Sequence, residues 1–185
     1  MTGQRDTARS GRQWHREPVE MLPDMRMIRP TLVVVGDNAV DVIIAAGGWI
    51  ADLALSGWVV FAGLRDGGHE SALRILGATD SSLDCAIATY DRRPRPRVIA
   101  VSADSCRRDE RVSRWVVESA AGSGEVRLWG PGCAELFRLA AHAVDHRLSP
   151  GALAFKHEAL ETTGSHGDVA PVESFVVVRR RRKRG

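Results

Sequence analysis

Residues 31–68 read TLVVVGDNAVDVIIAAGGWIADLALSGWVVFAGLRDGG, and their pattern decides the fold. Thr31 to Val35 is a β-branched apolar run of the kind a buried strand needs. A polar turn follows, in which Asp37 or Asn38 can cap a helix through a side-chain oxygen. Ile43, Ala46, Ile50, Leu53 and Ala54 then keep the three-and-four spacing of a core-facing stripe, and Gly57 stands where a left-handed helix stop is expected. Trp58 to Gly63 supplies a second strand, which completes a βαβ unit and predicts parallel pairing with a right-handed crossover. Two glycines in mid-helix, Gly47 and Gly48, cost roughly 1 kcal/mol each relative to alanine, so they predict a close backbone approach.

The same grammar continues outward. Glu70 to Leu76 reads as a short helix ended by Gly77, whereas Thr79 to Arg97 is less regular, with Pro94 and Pro96 forbidding a helix near them. Arg97 to Ser102 is a third strand, and Val112, Trp115, Val116 and Ala120 mark the buried face of the helix after it, which Gly122 and Gly124 stop. Glu125 to Trp129 is a fourth strand. Leu136, Leu139, Ala140, Ala143 and Val144 predict an amphipathic helix ended at Ser149-Pro150-Gly151, followed by a helix over Leu153 to Thr162 and a late strand over Glu173 to Val178. Strands alternating with helices predict an α/β fold with a Rossmann-like, mostly parallel sheet and flanking helices.

Composition sets the bounds. With 185 residues, 44% hydrophobic and 26% charged, the chain suits one globular domain, expected over residues 30–178. Residues 1–29 carry six arginines and no sustained period, which predicts a flexible N-terminal arm, and residues 179–185 form a basic tail. That tail, Arg179 to Arg184, holds six of the 26 basic side chains, so the rest carries 20 against 23 acidic ones. It is a candidate contact for nucleic acid or an acidic surface, or else a solvated tail. The absence of an apolar run of membrane length or of a secretory h-region leads to a cytoplasmic expectation with no transmembrane segment. Cys85, Cys106 and Cys133 form no CxxC pair and are odd in number, which favours reduced structural thiols over a disulfide framework.

The stretch LVVVGDNAVDVIIAAGGWIADLALSGWVVFAGLRDGG with HESALRILGA after it resembles the N-terminal half of the LmbE-like, or PIG-L, zinc-dependent N-deacetylases. That family shows a strand, A-H-P-D-D-E, a G-G-x-I-x-x-L-x-x-x-G helix, a strand ending in a T-D-G turn, and an R-x-x-E-x-x-x-A-x-x-x-L-G helix. Further on, FKHEALETTGSH and VESFVVV are similar to the family's K-x-x-A-L-x-x-H segment and E-x-F strand, so the resemblance runs over roughly residues 31 to 178. Aligned on Gly47-Gly48, Asp37 to Val42 fall on A-H-P-D-D-E, and only Asp41 survives.

What the resemblance implies is zinc held by the histidine and second aspartate, with the first aspartate as general base. Here those places hold Asn38, Asp41 and Val40, and valine cannot take a proton. The family's H-P-D-H motif falls on Arg107-Arg108-Asp109-Glu110, which puts Glu110 at the third ligand's place. Asn38, Asp41 and Glu110 would be an oxygen-only set, suited to a harder cation than zinc. Loss of the base typically costs 10²- to 10⁴-fold in rate. The expectation is therefore a degenerate metal site, with zinc lost, Asp41 the metal-type residue, and Asp37, Asn38, Asp41, Asp104 and Glu110 as ligand-binding residues for a small polar, sugar-like molecule.

Two other readings stay open. An active hydrolase could use a repositioned metal set, Asp41 with His142, His146 or His166, the first two being four apart on the expected helix. Alternatively, an interaction protein could dock a partner through its body and its arginine-rich tail. The turn after the first strand lacks G-x-G-x-x-G, so a dinucleotide role has no support.

Overall fold

Thr31–Gly36 forms the first strand, β1, with every residue after Thr31 buried. The computed structural model describes residues 29–91, 95–122, 124–137, 139–165 and 167–179. The expected arm therefore lies outside the described residues apart from Arg29, whose Nε donates to the Gly57 carbonyl at 2.7 Å, and the basic tail lies outside them apart from Arg179.

The elements follow as α1 (Ala39–Leu55), β2 (Val59–Leu64), α2 (Glu70–Ile75), β3 (Ala78–Ser82), α3 (Leu83–Asp91), β4 (Val98–Ser102), α4 (Ala103–Arg108), α5 (Glu110–Ala121), β5 (Glu125–Trp129), β6 (Ala140–Arg147), α6 (Pro150–Thr162) and β7 (Val172–Arg179). The strands make one seven-stranded sheet in the order β3-β2-β1-β4-β5-β7-β6. The first five in space are parallel, while β7 runs antiparallel to both β5 and β6. The fold is α/β and Rossmann-like, as the sequence predicts.

Period-two alternation divides the core. Leu32 and Val34 of β1 join one cluster with α1, α2 and α6, and Val33 and Val35 join another with α4 and α5. Both faces of the sheet are covered, which is why these strands read as continuous apolar runs. Ile43, Ala46 and Ile50 are wholly buried and Leu53 and Ala54 pack at the cluster's margin. Gly57 has φ +87° and Gly77 φ +79°, as helix stops require.

The glycine pair marks a close approach. A methyl on Gly48 would sit 2.0 Å from Leu148 Cδ2, and one on Gly47 would press Leu76 at 3.3 Å. At the same turn the amides of Gly48 and Trp49 each donate to the Glu173 carboxylate at 2.8 Å. Lys156 Nζ meets that carboxylate at 2.6 Å and the Ile44 carbonyl at 2.7 Å. A buried ion pair between α6 and β7 is thus joined to the backbone ladder of α1.

The structure corrects three local expectations. The stretch from Leu136 to Val144 is no helix: Ala140–Arg147 is an edge strand paired along all eight residues with β7. A helix there would have had no face to bury, because Ala140 to Ala143 are exposed, and Leu136 and Leu139 pack against the core from the preceding segment. Ser149-Pro150 begins α6 where a stop was expected; Ser149 Oγ accepts from the Ala152 amide at 3.1 Å and proline occupies the first turn. The irregular stretch after Gly77 contains β3 and α3, β3 being a short edge strand held by parallel pairing to β2.

Cys106 and Cys133 are buried thiols. Burial pushes the Cys106 thiol up to about 12, with Arg107 opposing, so it packs as an apolar group.

Candidate functional site

From β1 the strand order runs one way through β2 and β3 and the other way through β4 and β5. The crevice of this sheet therefore opens between β1 and β4, beyond their carboxyl ends, the usual ligand position in an open α/β sheet. Gly36 makes the turn there tight, since a methyl on it would meet Val42 at 2.4 Å. Asn38 caps α1, its Oδ1 accepting from the Asp41 amide at 2.9 Å.

Asp37 is buried in the turn. Its Oδ1 accepts from Ser105 Oγ at 3.0 Å and from Arg65 Nε at 3.3 Å, and its Oδ2 meets Arg108 Nη1 at 2.9 Å. The pairing does not end there. Arg65 reaches Asp109 at 4.0 Å, Arg111 grips Asp109 through Nε and Nη2 at 3.2 and 2.9 Å, and Arg111 Nη1 meets Asp84 at 2.8 Å. Arg108, Asp37, Arg65, Asp109, Arg111 and Asp84 form an alternating ladder that ties the ends of β1 and β2 to α3, α4 and α5.

Asp41 lies half-buried in the first turn of α1. Burial raises its carboxyl above the ordinary value, and the nearby charges of Asp37 and Asp104 raise it further; the Trp129 indole opposes them. The Trp129 Nε1 is buried and closes no hydrogen bond of ordinary geometry. Asp104 stands in the first turn of α4, which Ser102 caps, and pairs with Arg107 at 2.9 Å.

The structure thus brings Asp37, Asn38, Asp41 and Asp104 to one crevice. It leaves Glu110 on the exposed first turn of α5, paired with Arg114 at 3.0 Å. His146 lies on β6 and meets Asp52 at 2.8 Å, and Asp52 is about 16 Å along α1 from Asp41 at 1.5 Å per residue. His142 is exposed on the same strand, and His166 lies outside the described residues. Among the described residues, no three histidine, cysteine or acidic side chains form a group able to hold a metal ion.

Sequence reasoning missed Arg65, Ser105, Arg108 and Trp129 as members of this site. The signal for two of them was present: Arg65 stands in the turn after the second strand, and Arg107-Arg108 occupy the place of the H-P-D-H motif.

No protein-family model matches the chain, and no curated protein matches it by sequence. Solved structures do match it in shape. A triple mutant, Orf2*T, of a deacetylase in the teicoplanin biosynthetic pathway superposes with TM-score 0.59 at 13% identity, over 84% of this chain and 100% of that one. The zinc inhibited form of teicoplanin deacetylase Orf2 gives 0.59 at 14% identity over 83% and 100%. The fold is that of the LmbE-like deacetylases. GalB, the 4-carboxy-2-hydroxymuconate hydratase of Pseudomonas putida KT2440, shares it with TM-score 0.54 at 15% identity over 84% and 99%. Among the described residues, no helix of this LmbE-like fold is long and apolar enough to cross a membrane.

Proposed function

We propose that residues 30–178 form a single LmbE-like domain with a degenerate metal site, a non-catalytic relative that binds a small polar, sugar-like ligand in the crevice between β1 and β4. The pairing of Asp37 with Arg65 and Arg108 carries this reading. A hydrolytic zinc ion needs about three protein ligands and an open position for water. At the strand end of this chain two guanidiniums already neutralise the carboxylate, and a divalent ion beside them would meet like charge. Zinc therefore does not fit these residues, and Val40 offers no base to a water molecule.

Hydroxyl groups fit better. Asp41 and Asp104 are acceptors, Asn38 carries both donor and acceptor atoms, and the buried Trp129 indole N–H faces Asp41 from behind. One ligand hydroxyl can donate to Asp41 while accepting from the exposed Asn38 side-chain amide. A deacetylase–teicoplanin complex is among the structures similar in fold.

The test pairs plasma mass spectrometry for metals with an NMR titration by N-acetylglucosamine, on untagged protein purified without chelator and on Asp41→Ala. The expected outcome is zinc well below one equivalent in both proteins, with sugar-dependent shifts of Asn38 and the Trp129 indole that vanish in the variant. One equivalent of zinc, lost in Asp41→Ala, would falsify the degenerate-site reading.

A further inference from the structure

Away from the crevice's carboxylates, α1 and α6 frame a cavity of about 240 Å³ with the segment that leads into β7. Its walls are apolar, from Ile44, Leu160, Val169 and Ala170, and Lys156 and Asp168 also line it. Ile44 is 57% exposed and lines this space.

The charges around Lys156 determine what can enter. Only 3% of the residue is exposed, and two of its three ammonium N–H groups are held by Glu173 and the Ile44 carbonyl. Glu173 balances its charge and is itself fixed by two amides of α1. An anionic ligand would bring a second carboxylate to one ammonium and pass Asp168 on the way in. A cationic ligand would meet Lys156 with Glu173, the buried anion beside it, already paired. A neutral oxygen meets neither objection, and Lys156 already donates to one such partner, the Ile44 carbonyl.

We infer that this cavity binds a small, mostly apolar molecule bearing one neutral hydrogen-bond acceptor, an alkyl amide, ester or ketone, with its oxygen on the third N–H of Lys156 and its chain along Ile44, Leu160 and Val169. This site stands independently of the reading given to Asp41.

The experiment is a methyl and amide NMR titration of the full chain with three probes of similar length, N-butylacetamide, hexanoate and hexylammonium. N-butylacetamide should give saturable shifts at Ile44, Leu160 and Val169, with hexanoate and hexylammonium at least tenfold weaker. Val169→Trp, and separately Ala170→Leu, should weaken the amide at least tenfold by filling the cavity from a segment outside the ion pair. Asp41→Ala should leave it unchanged, which separates this site from the polar crevice. Equal binding of hexanoate, binding that survives both filling variants, or no saturable shift with any probe would overturn the inference.

Discussion

Two ionic networks touch α1, and they are built on opposite principles. At its middle, Lys156 and Glu173 have side chains only 4% and 2% exposed, and both are bonded to helix backbone. At its beginning, the ladder through Asp37 runs outward, with Arg65 at 30%, Arg108 at 61% and Arg111 at 60% exposure. The first is inseparable from the fold, because removing either partner strands a buried charge. The second lies where the resembled enzymes hold their metal motif, and water stands ready to replace most of its links. One helix thus carries a dry, backbone-anchored pair at its middle and a partly solvated ladder at its start.

The sharpest way to break that comparison is Glu173→Ala. It leaves the Lys156 ammonium without a counter-charge and the amides of Gly48 and Trp49 without their acceptor, and about 3–5 kcal/mol of stability should be lost in urea unfolding. A loss under about 1 kcal/mol would put the two networks in one class. Gly48→Ala comes next. Better helix propensity contributes about 1 kcal/mol, but a methyl 2.0 Å from Leu148 forces repacking at about 1–3 kcal/mol, so net destabilisation is expected. Asp37→Ala removes the acceptor of Ser105 and two partly solvated guanidiniums, for which about 1–2 kcal/mol is expected.

The smallest effect concerns pH. Hydrogen bonds from the Arg111 side chain hold the Asp109 carboxyl below its ordinary value against a burial that opposes them, whereas burial holds Asp41 above. On acidification Asp41 should take its proton first and Asp109 last. Asp109's contribution to stability is present above the ordinary carboxylate value and is lost as pH falls through its lowered one. Carbon-detected titration of the two carboxyls reads the order directly, and the reverse order would show that the outer ladder does not close in solution.

How much of this was legible follows from where the information lies. Val33 and Val35 against Leu32 and Val34, the stripe on α1, and the stops at Gly57 and Gly77 are local patterns, and they delivered the βαβ frame. β3 and β6 were not local. Thr79 to Ser82 carries no apolar run and becomes a strand by pairing with β2, and the three-and-four spacing from Leu136 to Val144 was outweighed by eight residues of pairing to β7. At the crevice Asp37, Asn38 and Asp41 were readable because one turn holds them. Arg65 and Arg108 stood at readable positions but without a readable role, since a motif aligned on its missing ligands says nothing about the counter-ions that stand in their surroundings.

Glu173 also sets a time order on biosynthesis. As the chain leaves the ribosome, α1 and the parallel strands emerge first, while the acceptor for Gly48 and Trp49 and the anion for Lys156 both wait on one late residue. With β7 between β5 and β6, that one carboxylate meets the ammonium and both amides at the centre of the fold. A single residue of the last strand thus closes contacts that α1 and α6 cannot complete between themselves.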